Sequence, residues 1–393
     1  MNGGTARRVL AGLWRILRWV LVPVALLGAY LLLWPTPLNP YAWTPPKDPG
    51  TGPGSPYAAS QGLENVSTLG EALIASHAAA SPGIANFGPE DVAVSPADHH
   101  VYTGIGDGSI LRIDPVTGAS SVFANTGGRP LGVSFTADGA TLYVADAHLG
   151  LVSIDPQGKV TLLVNQVAGE PLTFADNLDV AQDGTVWFSA PTRNHSFEQV
   201  TLDVWESRPS GRLVRYDPRT GRADKVLDNL FYANGVALAA DDSFVLVAEF
   251  LGFRIQRYWI SGPRAGSHEV FADGLPGYPD NITRTPEGNF LVGLSLGRIA
   301  ALDGERQHPH VIEMMYRLPP ALAQQPAYPA LLLELSPEGR VLRVVADETP
   351  GRVGQITAAA ALPAAPDGGA PQLVLGSLQI HAVRRLPLAD ARH

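Results

Sequence analysis

The sequence predicts an all-β chain folded as a six-bladed β-propeller, preceded by an N-terminal transmembrane helix. Three observations carry that prediction. A short pattern returns along the chain, as Glu90-Asp91-Val92-Ala93-Val94, Leu131-Gly132-Val133-Ser134-Phe135, Asn177-Leu178-Asp179-Val180, Asn234-Gly235-Val236-Ala237-Leu238 and Asp280-Asn281-Ile282. Turn signals punctuate the alternating apolar runs, at Asp107-Gly108, Asp138-Gly139, Asp183-Gly184, Glu287-Gly288, Glu338-Gly339 and Asp367-Gly368. Xaa-Gly between alternating runs marks a hairpin. Finally, Trp19 to Pro46 holds no charged residue.

Composition bounds the class. With 393 residues, 45% of them hydrophobic and 17% charged, and with 41 Gly and 34 Pro, the chain is turn-rich and long enough for a full core. A formal charge of −9 leaves no basic stripe to displace counterions from phosphates, which excludes nucleic acid as a partner. The absence of cysteine excludes disulfides, thiolate catalysis and Cys-based zinc sites.

Taken in order, residues 1–18 form a basic N-terminus, with Arg7, Arg8, Arg15 and Arg18 ahead of the apolar run. Residues 16–35 supply about the 20 residues a helix needs to cross a bilayer, Arg18 snorkelling at one end. The positive-inside bias keeps the N-terminus cytoplasmic and exports the rest to periplasm, exterior or lumen, so the lipid bilayer is an expected partner. The run ends in Trp34-Pro35-Thr36-Pro37 without a small-x-small cleavage site, which favours an uncleaved anchor over a signal peptide. Residues 36–59 read as a semi-rigid Pro/Gly-rich spacer, and residues 60–393 as the propeller. Within that body, residues 68–80 fit a short helix or a first strand, and the pattern does not choose.

Beyond Phe87 a companion element marks a second recurring turn: Ile113-Asp114-Pro115-Val116-Thr117-Gly118, Ile154-Asp155-Pro156-Gln157-Gly158 and Tyr216-Asp217-Pro218-Arg219-Thr220-Gly221. Repeat starts near 90, 131, 177, 234, 280 and 354 leave room for four short strands in each of six units, a propeller period. Equivalent inner strands then face one channel, so Glu90, Asn177, Asn234 and Asp280 converge. Each alone also suits an ordinary turn; four at matching positions argue for a shared role. Carboxylate and amide oxygens without imidazole or thiolate suit Ca²⁺, with other divalent cations as alternatives.

At these residues the chain resembles the six-bladed propellers of the SMP-30, gluconolactonase and paraoxonase superfamily. Within it, the chain is most similar to the strictosidine synthase-like branch, the group around adipocyte plasma membrane-associated protein. The resemblance rests on Gly88-Pro89-Glu90, Gly104-Ile105-Gly106-Asp107-Gly108, Arg129-Pro130-Leu131-Gly132, Ala145-Asp146-Ala147 and Tyr232-Ala233-Asn234-Gly235-Val236. It continues through Val247-Ala248-Glu249, Arg254-Ile255-Gln256-Arg257-Tyr258-Trp259, Leu275-Pro276-Gly277-Tyr278-Pro279-Asp280-Asn281-Ile282 and Leu375-Gly376-Ser377. It implies a calcium ion held by Glu90, Asn177, Asn234 and Asp280, with Asn281 beside them. It also implies Lewis-acid hydrolysis of a lactone or ester, with Asp280 as base and His148 as an assistant. His148 equally suits a structural turn position.

Three departures qualify what the resemblance implies. A second, structural calcium needs acids after the matching Glu and Asn; Asp91 is present, but Leu178 replaces the other. Strictosidine synthase chemistry needs a glutamate in the last blade, where this chain reads Gly354-Gln355-Ile356-Thr357-Ala358-Ala359-Ala360. An acid that relatives place after the third blade's second strand is replaced by Trp187-Phe188-Ser189-Ala190. Two insertions, Thr192 to Gly211 and Asp303 to Tyr328, are expected as lids, or, for the second, as an element on the propeller rim or at the membrane surface. The functional expectations are a membrane-anchored, calcium-dependent hydrolase of small lactones or aryl and carboxylic esters, then a strictosidine synthase-type lyase, then a non-catalytic extracytoplasmic binding propeller with a structural calcium.

Overall fold

The computed structural model describes residues 3–63, 66–319, 330–347, 354–363 and 371–388, so Asp367-Gly368 and residues 320–328 of the second insertion lie outside the described residues. The chain forms two compact units, residues 1–44 with 299–325 and residues 45–298 with 326–393.

The larger unit consists of antiparallel four-stranded blades, each running outward from its inner strand. Blade one is Ala93–Val94, Val101–Gly104, Ser109–Ile113 and Ser120–Asn125; blade two is Pro130–Phe135, Leu142–Asp146, Gly150–Ile154 and Val160–Val164. Blade three is Leu178–Val180, Val186–Ala190, Gly211–Asp217 and Arg222–Leu230; blade four is Ala233–Leu238, Phe244–Glu249, Arg254–Trp259 and His268–Ala272. Blade five is Gly277–Arg284, Phe290–Gly297, Ala330–Leu335 and Val341–Asp347, with Gln61–Gly62 added in parallel on its outer edge. Blade six takes Ala358–Leu362, Gln372–Gly376 and Val383–Pro387 from the end of the chain and Ser67–Leu69 from its beginning. Residues 68–80 therefore hold both expected elements, this strand and then the helix Glu71–Ala80.

The sequence explains these elements. The first hairpins of blades two and three turn on glycines with positive φ, Gly139 (70°) and Gly184 (84°), a conformation that a Cβ disfavours, whereas those of blades one and four use His99 (60°) and Asp242 (55°). The companion turns are Asx turns: Asp114, Asp155 and Asp217 accept hydrogen bonds from the N–H groups of Val116, Gln157 and Arg219. Packing then follows the seams. Buried apolar residues fall into six clusters, one between each adjacent pair of blades, and the cluster joining Leu69, Ala358 and Val374 to Val101 and Leu111 closes blade six on blade one. Six seams for six blades require a closed ring.

The smaller unit contains the helix Gly3–Leu33, Ala300–Gly304 and Pro309–Tyr316. The helix starts well before the predicted span of 16–35 and stops at Leu33. The helix is thus present over most of that span, and its crossing of a membrane is not confirmed: among the described residues no helix is long and apolar enough to cross one. The described part of the second insertion belongs to this unit rather than to the propeller. Its Arg317 donates from Nη1 to the Leu31 carbonyl and from Nε to the Trp34 carbonyl, both at 2.7 Å. That places a cation on the orphan carbonyls at a helix C-terminus, where the helix dipole favours positive charge.

Candidate functional site

Glu90 and Asn177 lie just ahead of their inner strands, whereas Asn234, Asp280 and Asn281 lie within theirs, where backbone irregularities aim them inward. The ladder of blade four shifts register between Ala233 and Val236, and that of blade five between Pro279 and Ile282. Asn234 and the pair Asp280-Asn281 lie in those bulges, which lets two consecutive residues of blade five face the same centre. Bonds between blades that are not neighbours show where the centre is. Asn281 Nδ2 in blade five donates to Glu90 Oε1 ahead of blade one at 2.8 Å, and Asn177 Nδ2 in blade three donates to Asp91 Oδ2 at 3.1 Å.

The predicted site residues Glu90, Asn177, Asn234, Asp280 and Asn281 are therefore brought together, each buried to 4% exposure or less. Three of their oxygens, Glu90 Oε2, Asn234 Oδ1 and Asn281 Oδ1, are buried without a hydrogen-bond partner. A buried polar oxygen without a partner is costly, and three on residues linked through Glu90 and Asp280 fit a cation. Among the described residues, no three carboxylate, imidazole or thiolate side chains stand at metal-holding distance from one another, so any such ion would rest on amide as well as carboxylate oxygens.

The electrostatics point the same way. Burial, then Asp280, Asp176 and Asp91, raises the Glu90 carboxyl well above its ordinary range. Burial pushes Asp280 up to about 7, against hydrogen bonds from Ser295 and Asn234. Asp176 is raised well above its ordinary range, by burial and then by Asp280 and Asp91. The nearby positive charge is Arg129, lowered to about 10 by burial although Glu90, Asp146 and Asp176 raise it. Its guanidinium also donates to the carbonyls of Asn86, Gly88 and Pro130. More carboxyls than cations share one dry space, so every carboxyl there resists ionising.

Asp91 and Asn177 form a layer of ties beside this cluster. Asp91 accepts from the N–H groups of Val92 and Val133 as well as from Asn177. Asn177 in turn accepts at Oδ1 from the Val236 N–H at 2.7 Å. Asp91, the half-set of the second calcium site, is thus occupied by three hydrogen-bond donors. A cavity of about 470 Å³ opens on this layer, lined by Asp91, Asn177, Asp179, Val236, Arg284 and Ala360 among others, but not by Glu90, Asp176 or Asp280.

His148 stands apart from the acids in its bonding. Its Nε2 pairs with Glu198 Oε1 of the first insertion at 2.7 Å, and the pair is solvent-exposed. Blade six offers Thr357, whose hydroxyl donates to the Glu90 carbonyl, and no carboxylate between Gly354 and Pro363. The sequence reading missed Asp176 and Arg129. A signal for Asp176 exists: Glu90-Asp91, Asp176-Asn177 and Asp280-Asn281 are all an acid followed by Asp or Asn.

Comparison with known proteins agrees with this architecture. The strictosidine synthase family profile matches residues 176–263, and the strictosidine synthase-like N-terminal profile matches residues 76–113. Strictosidine synthase-like protein 3 of Arabidopsis thaliana is 31% identical over 288 residues, 66% of this chain and 74% of that protein. Adipocyte plasma membrane-associated protein of Salmo salar is 34% identical over 280 residues, 65% of this chain and 66% of that one. The chain spans 64% and 60% of the lengths of the Arabidopsis strictosidine synthase-like proteins 13 and 10. A gluconolactonase structure from Xanthomonas campestris superposes with a TM-score of 0.55 at 16% identity, over 78% of this chain and 87% of that one. The calcium-binding protein regucalcin from Agrobacterium tumefaciens gives 0.55 at 15% identity, over 84% and 95%. These structural likenesses establish the propeller fold. With a relative above 30% identity matched over nearly three quarters of its length, the chain belongs to the strictosidine synthase-like family.

Proposed function

We propose that this protein is a membrane-anchored, divalent-cation-dependent hydrolase of small lactones or of aryl and carboxylic esters, acting in the propeller channel. The observation that carries this reading is the trio of buried, unpartnered oxygens on Glu90, Asn234 and Asn281 beside the carboxyl of Asp280. Those four residues would hold a calcium ion, which supplies Lewis-acid polarisation of a substrate carbonyl. The gluconolactonase and regucalcin likenesses support the choice of chemistry and ion. Asp280 is the base: its buried carboxylate would orient a water and take its proton. Asn234, hydrogen-bonded to it, orients the carboxyl. Phe174, Tyr232, Phe250 and Tyr278 pack ring to ring beside the acids and exclude bulk water, which suits an apolar acyl or aryl group.

The anchor is the helix Gly3–Leu33. Its second half exposes Trp19, Val20, Leu26, Leu32 and Leu33, the kind of surface that lipid covers. Arg18 and the Tyr30–Trp34 pair flank it in the manner of interfacial residues, and the name of the Salmo salar relative agrees with membrane association. Retention of the full chain in the membrane pellet after alkaline carbonate supports an inserted helix; release overturns it.

The hydrolase reading is tested with the full chain in detergent on a panel of lactones and phenyl acetate. A chelator or Asp280→Ala is expected to lower turnover by about 10²- to 10⁴-fold while the protein remains folded. No turnover on any substrate, together with a large calcium-dependent rise in melting temperature, would move the reading to a binding propeller whose ion joins blades. The 470 Å³ cavity on the tie layer, within the usual range for small-molecule sites, is the observation that favours that second reading.

A further inference from the structure

The ties sort the repeat positions independently of any ligand. Asp91 accepts from the Val133 N–H of blade two, and Asn177 accepts from the Val236 N–H of blade four. Val133 and Val236 each follow the glycine of their inner strand, Gly132 and Gly235. Asp91 and Asn177 are thus equivalent, which makes the residues before them, Glu90 and Asp176, equivalent as well. Glu90 reaches into the channel, bonded to Asn281, and Asp176 stands at the equivalent position of blade three.

Asp176 has the surroundings of a site residue. It is 4% exposed, and it lies close enough to feel Asp280 and Asp91, while Glu90 and Arg129 in turn feel Asp176. A buried carboxylate among carboxylates has no structural benefit of its own. Glu90, Asp176 and Asp280 do not stand together at ligating distance, so Asp176 acts on the site through its charge.

We infer that Asp176 supplies a third carboxylate charge to the channel's cation site, and that Arg129 supplies the compensating positive charge. This rests on the reading that the channel holds a cation. When ionised, Glu90, Asp176 and Asp280 with Arg129 carry two negative charges, and Asp91 beside them adds to the field, so the site draws a divalent ion and a trivalent one still more strongly. The pocket therefore discriminates cations by charge, and Asp176 sets that discrimination.

The test is binding of Ca²⁺ and Tb³⁺ to the full chain in detergent, read by calorimetry, by terbium luminescence and by the melting temperature with and without ion. The wild type is expected to prefer Tb³⁺ over Ca²⁺ by at least tenfold. Asp176→Asn, nearly the same size, is expected to weaken Ca²⁺ at least tenfold, and Tb³⁺ by more, so that the preference falls. The same variant without ion should melt no lower than wild type, since a buried repulsion has been removed. Asp176→Glu, which keeps the charge, is expected to retain the preference. Equal wild-type affinities for the two ions, or an unchanged preference in Asp176→Asn, would overturn the inference and leave the cation site standing. No binding of either ion by the wild type would overturn both.

Discussion

Asn177 is held at both ends, by Asp91 at its amide nitrogen and by the Val236 N–H at its oxygen. Replacing it by leucine strands a buried N–H and removes one of the three donors on Asp91. At about 1–3 kcal/mol for each unsatisfied buried group, Asn177→Leu is expected to cost about 2–5 kcal/mol. Urea denaturation of the variant should show that loss, with the cation affinity of the folded protein changed less than threefold. A tenfold weakening would instead place Asn177 among the ligands. The same residue shows how far the site was legible. Oxygen-bearing residues at matching repeat positions were visible in sequence, because a propeller repeats its inner strand. Which of two adjacent residues faces the channel was not. Asp176-Asn177 and Asp280-Asn281 look alike as letters, but a bulge turns both members of the second pair inward, and a bulge is a register shift that composition does not display.

The first insertion, Thr192 to Gly211, reads as a lid and carries Phe197, Val200, Leu202, Val204 and Trp205. It folds as a 3₁₀ turn, Phe197–Gln199, and a short helix, Val200–Glu206, that buries its acids Asp203 and Glu206. Amphipathic reasoning places charge outward, so this inversion had no signal in the pattern. Asp203 Oδ1 accepts from the Thr192 hydroxyl at 2.9 Å, and Glu206 faces His195 at 3.2 Å. Burial pushes the Asp203 carboxyl up to about 6, with Glu206 adding to the rise and Thr192 and His195 opposing it. A carboxyl raised on folding means that the folded state holds the proton more tightly than the unfolded chain. Its contribution is complete below its ordinary value near 4 and is lost as pH climbs through about 6. The thermal midpoint of wild type should therefore fall between pH 4 and pH 6 more steeply than that of Asp203→Asn. The channel acids titrate with the same sign in both proteins, so the difference between the two slopes isolates Asp203; parallel slopes would sink the assignment.

At the scale of the whole chain, six blades were countable in sequence because turn chemistry is local: an Asp-Gly or an Asx turn needs no distant partner to declare itself. How the ring closes was hidden, because Ser67–Leu69 pairs with Val383–Pro387 more than 300 residues away, and a three-residue strand has too few alternations to read. Closure is therefore a non-covalent edge, and its strength sets whether the blades unfold as one. Leu69 is 4% exposed and sits in the seam between blades six and one. Leu69→Asp removes that apolar contact and buries a charge, at an expected cost of about 3 kcal/mol or more. Val116→Asp, at an 84% exposed turn of blade one, is expected to cost less than about 0.5 kcal/mol. If the edge closes the ring, Leu69→Asp will also broaden the urea transition and lower its slope, since the seam opens before the remaining blades do. A midpoint shift with an unchanged slope would mean that the other five seams hold the ring cooperatively, and that the N-terminal strand only covers an edge.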